Sequence, residues 1–506
     1  MRRCVHYHRL AFSGLPRVPF PLSPLASSLV SNGNAMQIRS AEFKTRATEK
    51  LGSATLFRAL SNLRGRLVAG RATVMRELDN FEDIREAAKR VRDDALENLD
   101  FLLEEFERNA TANGAKVHWA ENSQEMNQLV LDIARKANVR KVIKSKSMLG
   151  EESGLNHFLE QGGIEVRETD LGEYIIQESG DVPSHLIAPA THRTKEEVAD
   201  LFHEKHKRPR KTDITELTWE AREILRPYFL TADMGISGAN FLVAETGTSM
   251  IVTNEGNGRM TTTLPRVHVA IAGIEKVLPT LEDVSFILRL LTRSATGQSI
   301  SNYLTFTTGP KRPDDAEGPE EFHIIIVDSG RTKVLGSELR EALRCIRCGA
   351  CMNHCPVYQN IGGHPYGWVY PGPIGSVLTP AYVGLENAID LPNAATMCNQ
   401  CGVVCPVKIP LPDLMRKLRE RQVEQNLRPW AERVGLRLWA WAAARPGVYS
   451  RGAKLAARLG RWMGGREGLI HSLPGAGAAW TRERDMPAPS GKTFLEMYAA
   501  RGTRRT

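Results

Sequence analysis

Long apolar runs are missing from this 506-residue sequence, and cysteine is almost confined to one region. No stretch of eighteen or more uncharged apolar residues occurs, so the sequence predicts no transmembrane helix. Seven of the eight cysteines lie between positions 345 and 405. Disulfide frameworks belong to small secreted domains, whereas this chain is long and its thiols are clustered. A reducing cytoplasm and a metal site are therefore the better interpretation.

Motifs for a hydride-carrying cofactor are also missing. "GNGRMT" (256–261) lacks the last glycine of G-x-G-x-x-G, and "GAGAAW" (475–480) does not follow a predicted strand. Neither a flavin site nor a nicotinamide site is indicated. An oxidoreductase without its own hydride cofactor is expected to conduct electrons rather than to oxidise the substrate itself.

Acidic residues are scarce at both ends of the chain. Residues 1–41 hold five arginines and no acid, and residues 411–506 hold 19 Lys/Arg against 8 Asp/Glu, a net charge of +11. Residues 42–410 hold 43 basic and 50 acidic residues, a net charge of −7. A basic tail on an acidic body argues against nucleic acid as the partner. It favours docking on an anionic protein or on a membrane face.

Residues 1–35 form an unusual N-terminal stretch. They are rich in Arg, Ser and Pro and contain no acid, which is typical of a transit peptide. The alternative is a translation start assigned too early, with Met36 as the true first residue. We favour this alternative because the stretch has neither an apolar core nor helical periodicity. Cys4 lies in this stretch and is not counted as a metal ligand.

From about residue 76 the sequence alternates helical and strand patterns. Residues 81–106 repeat apolar side chains at helical spacing, and Ser123 is a candidate cap for a helix ending near Ala137. Strand patterns occur at "KVHWA", "KVIKS", "IEVRE", "HLIAPA", "ANFLVAETGTSMIVTNE", "RVHVAIAGI" and "EFHIIIVDS". Strands separated by helices predict right-handed crossovers and a parallel sheet, which is an α/β fold. Residues 331–420 are rich in glycine and proline instead, and the tail beyond them has a helical, basic pattern.

The stretch "CIRCGACMNHCP" has the cysteine spacing of a two-cluster ferredoxin. Cys345, Cys348 and Cys351 recur every third residue, and Cys355-Pro356 follows. Three thiolates on one tight loop reach three corners of one iron–sulfur cube, whereas the fourth points at the neighbouring cluster. The spacing therefore predicts two clusters that exchange one ligand each.

The second stretch, "CNQCGVVCP", is one cysteine short. Aligned on its Cys-Pro pair, it offers Cys398, Cys401 and Cys405, and the position of the missing cysteine holds Ala395. If the last cysteine of each stretch binds the cluster of the other stretch, cluster 1 has Cys345, Cys348, Cys351 and Cys405. Cluster 2 then has Cys355, Cys398 and Cys401. The fourth ligand of cluster 2 stays open between His354, His364, a solvent species and a partner residue. A three-iron cluster, which needs three thiolates, is a further alternative.

Zinc is the alternative metal, but zinc sites usually pair two C-x2-C knuckles across a long spacer. In the first stretch a cysteine recurs at every third residue, and both stretches end in Cys-Pro. This pattern favours iron–sulfur clusters. Arg344, Arg347 and Lys408 either offset the negative charge of the clusters or lie on solvated surface.

Several stretches together resemble the lactate utilization iron–sulfur proteins, the B subunits of a three-part lactate-oxidising system. They are the cysteine region with "NIGGHPYGWVYPGPIGSVLTP" and "CPVKIPLPDLMRKLR", then "GANFLVAETGTSMIVTNEGN" and "LPRVHVAIAGIEKVLPT" of a LUD domain, and the terminal "DMPAPSGKTFLEMY". The resemblance covers about residues 40–506. The second stretch of this family also has three cysteines, so Ala395 agrees with the family pattern. The extension before Met36 departs from that pattern.

The resemblance implies a fold and a function. The LUD domain is expected to be a parallel sheet with helices on both faces, akin to sugar-phosphate isomerases and CoA transferases. The protein is expected to hold two [4Fe–4S] clusters and to relay electrons as L-lactate becomes pyruvate. Its partners would be an A-type cysteine-rich subunit and a C-type LUD subunit, in the cytoplasm. The second functional hypothesis is a self-sufficient iron–sulfur enzyme that acts on a small carboxylate through an open corner of cluster 2.

We therefore predict five segments along the chain. They are a non-native or processed extension (1–35), an N-terminal arm (36–75), a LUD α/β domain (76–330), a mainly helical two-cluster ferredoxin-type domain (331–420) and a basic helical C-terminal region (421–506).

A few other polar residues are candidates for binding. Lys144, Ser145, Lys146 and Ser147 follow a predicted strand, where open sheets bind anions, although solvated lysines are the commoner case. The turn Gly247, Thr248 and Ser249 either cradles a carboxylate or is a plain strand turn. His268, in an apolar strand, is interpreted as a core histidine.

The basic tail has three alternative contacts. Trp430, Trp439, Trp441 and Trp462 lie there among arginines that include Arg433, Arg437 and Arg445. The tryptophans anchor an interfacial helix on the inner membrane face, or pack on a partner subunit, or pack on the body.

Overall fold

The computed structural model describes residues 38–482 and 484–502. Residues up to Leu418 form one compact unit, and residues from Arg419 form a second. The predicted division into five segments stays a prediction, and Cys4 and the extension 1–35 lie outside the described residues.

The helices of the described residues range in length from 4 to 23 residues. In chain order they are α1 (Phe43–Leu51), α2 (Ala54–Arg76), α3 (Phe81–Glu97), α4 (Leu99–Ala112), α5 (Ser123–Lys136), α6 (Met148–Ser153), α7 (Leu155–Gln161), α8 (Leu171–Ser179), α9 (Lys195–His206), α10 (Ile214–Thr231), α11 (Asn257–Thr263), α12 (Leu281–Thr296), α13 (Arg331–Leu335), α14 (Ala350–Asn353), α15 (Tyr358–Ile361), α16 (Gly372–Val383), α17 (Gln400–Val404), α18 (Leu411–Glu424), α19 (Trp430–Ala443), α20 (Pro446–Met463) and α21 (Phe494–Gly502).

The strands of the described residues form three sheets. In chain order they are β1 (Lys116–Ala120), β2 (Lys141–Lys144), β3 (Glu165–Glu168), β4 (Met234–Gly238), β5 (Phe241–Val243), β6 (Thr248–Val252), β7 (Val267–Gly273), β8 (Val277–Leu278), β9 (Leu304–Thr307), β10 (Glu321–Val327), β11 (Leu469–Ile470) and β12 (Met486–Pro487). The main sheet has the order β1-β10-β7-β4-β2-β3 and is parallel throughout. A smaller mixed sheet has the order β8-β5-β6-β9, and β11 pairs with β12.

Both faces of the main sheet are buried, which explains the apolar runs of its central strands. On β10, Ile325 faces a core formed with helices α5, α6 and α7, whereas Ile324 and Ile326 face a core formed with α3 and α4. Helices α8, α9 and α10 form a third core around Ile143 of β2. The predicted α/β fold with helices on both faces of a parallel sheet is therefore confirmed.

Residues 81–106, which the sequence predicted as one long helix, form two helices in the structure. Helix α3 ends at Glu97 and α4 begins at Leu99, with Asn98 outside helical geometry at φ −113° and ψ 33°. The side-chain amide of Asn98 donates to the carbonyl of Asp94, which lets the side chain compete with the helical ladder. The next predicted cap is also displaced by one residue, because Asn122 rather than Ser123 caps α5.

The predicted strand at residues 185–190 is wrong. The ring of His185 accepts hydrogen bonds from the backbone amides of Ile187 and Ala188, and the amide of Ser184 donates to the carbonyl of Pro189. These local bonds use the donors that a strand would offer to its neighbour, so the segment folds into a loop.

Candidate metal centre

The two cysteine stretches have the same local backbone. In the first, Arg347 and Gly349 flank Cys348 with φ of 60° and 71°. In the second, Met397 and Asn399 flank Cys398 with φ of 58° and 63°. Gly349 and Asn399 then begin α14 and α17 in the same way. The backbone therefore repeats in the register of the two Cys-Pro pairs, and Ala395 occupies the position that corresponds to Cys345.

Four thiols surround one apolar cavity. Its walls include Cys345, Cys348, Cys351, Cys405 and the side chains of Leu186, Ile346, Ile374, Val407, Ile409 and Leu411. Burial, with a contribution from the neighbouring Cys345, raises the pKa of Cys405 to about 11. Burial and the sulfurs of Cys345, Cys348 and Cys405 raise the pKa of Cys351. Four mutually repelling thiolates in an apolar enclosure fit a cation-rich cluster, because bound metal stabilises the deprotonated thiol.

The other three thiols form a second, more open group. Burial raises the pKa of Cys401 to about 12, with a contribution from Cys355. Burial also raises the pKa of Cys355, and Cys398 adds to that shift. Cys398 itself is exposed, and hydrogen bonds from Thr396 and from the Gln400 amide lower its pKa. The structure thus brings the seven cysteines together as four and three.

Backbone amides point at the sulfurs of both stretches. The amide of Arg347 lies 3.4 Å from Cys345 Sγ, and the amide of Ile409 lies 3.3 Å from Cys405 Sγ. Hydrogen bonds to cluster sulfurs are among the features that tune the potential of an iron–sulfur centre. The donor set is therefore chemically suited to hold iron–sulfur clusters.

The three basic residues predicted to offset cluster charge are all paired with acids. Arg344 is paired with Asp93, and Lys408 lies 2.9 Å from Glu86. Arg347 lies 3.7 Å from Glu275, and its guanidinium is 4.4 Å from the ring centroid of Tyr370. None of the three is plain solvated surface, because each side chain is at most 31% exposed.

Two arginines that sequence reasoning missed hold the second cysteine stretch. Arg85 of α3 donates to the carbonyls of Cys405 at 2.7 Å and Val403 at 2.9 Å. Arg71 of α2 donates to the carbonyl of Val404 at 3.0 Å. Burial lowers the pKa of Arg71, whereas Cys348 and Cys405 raise it. More than 300 residues separate these partners, so no local sequence pattern predicts these contacts.

A larger cavity, of about 180 Å³, lies at the carboxyl ends of β2, β4 and β7. Its lining includes Lys146, Asn257, Lys276, Arg347 and Cys348. Burial and the charge of Arg347 lower the pKa of Lys276 to about 7. Open parallel sheets bind ligands at this edge, and here the edge adjoins the first cysteine group.

Of the two lysines expected to be solvated, Lys144 is buried and Lys146 is partly buried. Lys144 is fully buried, and its Nζ lies 2.8 Å from Glu151 and 2.7 Å from Glu168. Burial lowers the pKa of Lys144, but the two carboxylates outweigh that effect and raise it. Lys146 Nζ lies 2.8 Å from Glu173. Each ammonium group has a carboxyl partner in the protein, which corrects the expectation of two solvated lysines.

The remaining predicted binding residues are structural. Gly247 lies in a turn with φ 63°, and Thr248 bonds to Thr308 across the small sheet. The interpretation as a strand turn is thus the better one. His268 is buried, bonds to Ser237 Oγ at 2.8 Å and stacks on Phe322, so the prediction of a core histidine is confirmed.

The two histidines considered as the missing ligand are engaged elsewhere. His354 Nδ1 lies 2.9 Å from the carbonyl of Ala350 in its own helical turn. His364 Nε2 lies 2.8 Å from the carbonyl of Val182 and 3.9 Å from Asp181. The structure places His364 beside residues 181–193 and identifies no fourth ligand for the second thiol group.

The tail carries exposed tryptophans, four of them in helices α19 and α20. Trp430, Trp439, Trp441 and Trp462 are 71%, 65%, 52% and 79% exposed. Helices α19 and α20, both fully described, have no buried residue. Among the described residues, no helix is long and apolar enough to cross a membrane.

Comparisons with known proteins agree with this site. Family models match as "LUD domain" over residues 103–327, "4Fe-4S dicluster domain" over 341–409 and "Lactate utilisation protein B, C-terminal" over 415–503. The fold and the site define an iron–sulfur protein built on a LUD domain. The relatives include lactate utilization protein B of Bacillus licheniformis, 42% identical over 92% of this chain and 98% of the relative. The chain belongs to the lactate utilization protein B family.

Two further relatives are similar over comparable lengths. Lactate utilization protein B of Bacillus subtilis is 41% identical over 93% of this chain and 98% of its own. The uncharacterized electron transport protein YkgF of Escherichia coli is 41% identical over 90% of this chain and 96% of its own.

Proposed function

We propose that this chain is the electron-transfer subunit of a multi-protein system that oxidises L-lactate to pyruvate. The observation that carries the proposal is the grouping of seven thiols into four and three by two loops of matching backbone. When bound, iron–sulfur clusters would supply one-electron carriers between those loops. The relative named as an electron transport protein supports the same role.

The ligand assignment follows the two thiol groups. Cluster 1 would be held by Cys345, Cys348, Cys351 and Cys405. Cluster 2 would be held by Cys355, Cys398 and Cys401, with a fourth ligand from outside these thiols. Each loop then lends one cysteine to the cluster of the other loop. The count of two [4Fe–4S] clusters is part of this proposal.

The partners of this proposal are an A-type cysteine-rich subunit and a C-type LUD subunit. The exposed aromatic and basic side chains of α19 and α20 support a docking role for the tail. A protein partner is favoured, with peripheral contact to the inner membrane face as the alternative; nucleic acid is not a proposed partner.

The experiment that tests the clusters is iron and sulfide quantification, with EPR, on anaerobically purified protein. We expect about eight iron and eight sulfide per chain, and about seven iron if cluster 2 is a three-iron cluster. Cys348→Ser should remove about half of the iron. In protein expressed from the full 506-residue sequence, Cys4→Ser is the matched control and should remove none. Zinc in place of iron, or unchanged iron in Cys348→Ser, would refute the assignment.

The exposed Cys398 and the missing fourth thiol favour one second candidate, an enzyme that acts on a small carboxylate at an open cluster corner. Assaying the isolated chain with L-lactate and a dye acceptor separates the two candidates. A relay should show no turnover until the companion subunits are added. Turnover by the isolated chain would establish the second candidate instead.

A further inference from the structure

A cluster of two histidines and one aspartate lies apart from the cysteine site. We define the histidine–aspartate cluster as Asp181, His192 and His364. Asp181 Oδ2 lies 2.9 Å from His192 Nε2, and Asp181 Oδ1 lies 3.9 Å from His364 Nε2. The same His364 nitrogen donates to the Val182 carbonyl at 2.8 Å, a bond that metal binding through Nε2 would replace. The two imidazole rings have centroids 4.4 Å apart. One donor atom from each residue lies within 4.8 Å of the other two, which is close enough for one metal ion.

The polypeptide is built to bring these residues together. Gly363, next to His364, approaches the backbone of Ser184 so closely that a Cβ at position 363 would lie 1.8 Å from the Ser184 carbonyl oxygen. That carbonyl also accepts a 2.7 Å hydrogen bond from the hydroxyl of Tyr358. Because glycine has no Cβ, the segment of His364 can pack directly against the loop that carries Asp181 and His192.

An outer hydrogen bond and a cavity complete the arrangement. Ser184 Oγ lies 2.7 Å from His192 Nδ1 and orients that ring, as partners of metal-binding histidines usually do. A cavity of about 300 Å³ borders all three residues and is also lined by Ser53, Thr55 and Glu197. Water or a small ligand therefore has room beside the three donors.

We propose that Asp181, His192 and His364 bind one divalent transition-metal ion, with the remaining coordination positions open to this cavity. Two imidazole nitrogens and one carboxylate oxygen form the donor set of catalytic zinc sites and of non-haem iron(II) sites. A site with open positions polarises a bound carbonyl or water, so the site adds a Lewis acid to the protein. It is independent of the cysteine ligands.

Arg193 competes with the metal for the aspartate. Its Nη2 lies 3.1 Å from Asp181 Oδ2, where it neutralises the carboxylate. Removing this guanidinium frees the oxygen and removes repulsion between two cations. Arg193→Gln should therefore bind metal more tightly than the wild type, an effect that a purely structural hydrogen-bond network would not produce.

The experiment uses the anaerobically purified full chain with its iron content measured. The chain is dialysed against zinc, and bound zinc is counted. We expect one zinc ion per iron-loaded chain, because iron then occupies the cysteines, and roughly 100-fold weaker zinc binding in His192→Ala and in His364→Ala. His157→Ala is the matched control, because His157 lies on α7 and bonds to Gln161, and it should bind as the wild type does.

The outcomes separate the site from the cysteines and from misfolding. Equal zinc binding in the wild type, both alanine variants and the control overturns the proposal, as does absence of zinc from the iron-loaded wild type. If the alanine variants lose iron and misfold, cobalt(II) titration of the wild type decides. Visible cobalt bands without thiolate-to-cobalt charge transfer support the site, whereas charge-transfer bands alone, or no retained cobalt, refute it.

Discussion

The ammonium group of Lys144 is the best example of a buried charge in this protein. It lies between Glu151 and Glu168, and Glu168 is itself buried beneath the end of β3. Burying ions is costly, so such groups persist only when partners are close and hydrogen-bonded. The three side chains therefore tie β2, β3 and α6 together at the carboxyl edge of the main sheet.

Replacing that lysine should be strongly destabilising. Lys144→Met leaves two carboxylates without their cation, one of them fully buried, and should cost about 3–5 kcal/mol. Lys141→Met, at the exposed start of the same strand, should change stability by less than about 0.5 kcal/mol. Urea unfolding of the two variants measures the difference. Similar urea midpoints for Lys144→Met and the wild type would contradict the burial of this pair.

Residue types and residue environments differ in how well the sequence reveals them. The seven cysteines are visible because their spacing is local and chemically specific. The pairing of Lys144 is not visible, since Glu168 lies 24 positions away and reaches the lysine only when β2 and β3 pair. The sequence therefore identified candidate ligands better than it identified ion pairs.

At the scale of elements, two helices hold the second cysteine loop. Helices α2 and α3 contribute Arg71 and Arg85, whose guanidinium groups bind the carbonyls of residues 403–405. These carbonyls belong to the end of α17, where helical carbonyls have no partner within the helix. The arginines satisfy them and fix the position of Cys405 beside the first loop.

Weakening this contact should make the iron labile. Arg85→Met leaves the carbonyls of Val403 and Cys405 without a charged donor, so Cys405 should move more freely. We expect iron to be released to a chelator several-fold faster than from the wild type. Arg90→Met, on the exposed face of the same helix, is the matched control and should release iron at the wild-type rate. Equal rates in the two variants would show that Arg85 does not hold the loop.

Elements were predicted well where the apolar pattern decides them and poorly where a polar side chain intervenes. The predicted strands "KVHWA", "KVIKS" and "EFHIIIVDS" correspond to β1, β2 and β10. The segment of His185 was mistaken for a strand, and the helix break at Asn98 was missed. In both places a polar side chain bonds to nearby backbone: the His185 ring takes amides that a strand would use, and the Asn98 amide shares the Asp94 carbonyl with the helical bond.

At the scale of the whole molecule, charge and exposed aromatic area are concentrated in the tail. Residues 411–506 carry a net charge of +11, and the tryptophans of α19 and α20 are exposed. Tryptophan and arginine are enriched where protein partners bind. These features are the reason that we propose an anionic protein surface as the partner of this tail.

Binding of the companion subunits should depend on this charge. Arg451→Gln combined with Arg458→Gln should weaken binding about 10-fold at low salt, because both arginines are exposed on α20. The double control Arg58→Gln with Arg66→Gln, on the exposed face of α2, should bind as the wild type does. Binding measured at several salt concentrations should weaken as salt rises. Wild-type affinity in the α20 variant would exclude the tail as the charged contact.

The sequence by itself determined the α/β class, the parallel sheet, the cysteine ligand candidates and the resemblance to the family. These depend on periodicity and spacing, which are properties of neighbouring residues. Tertiary structure alone decided the arginine contacts to the second cysteine loop, the burial of Lys144 and the meeting of Asp181, His192 and His364. Each of these requires segments far apart in the chain to approach within hydrogen-bond distance. That approach is set by packing, and for His364 by a glycine that lets two backbones touch.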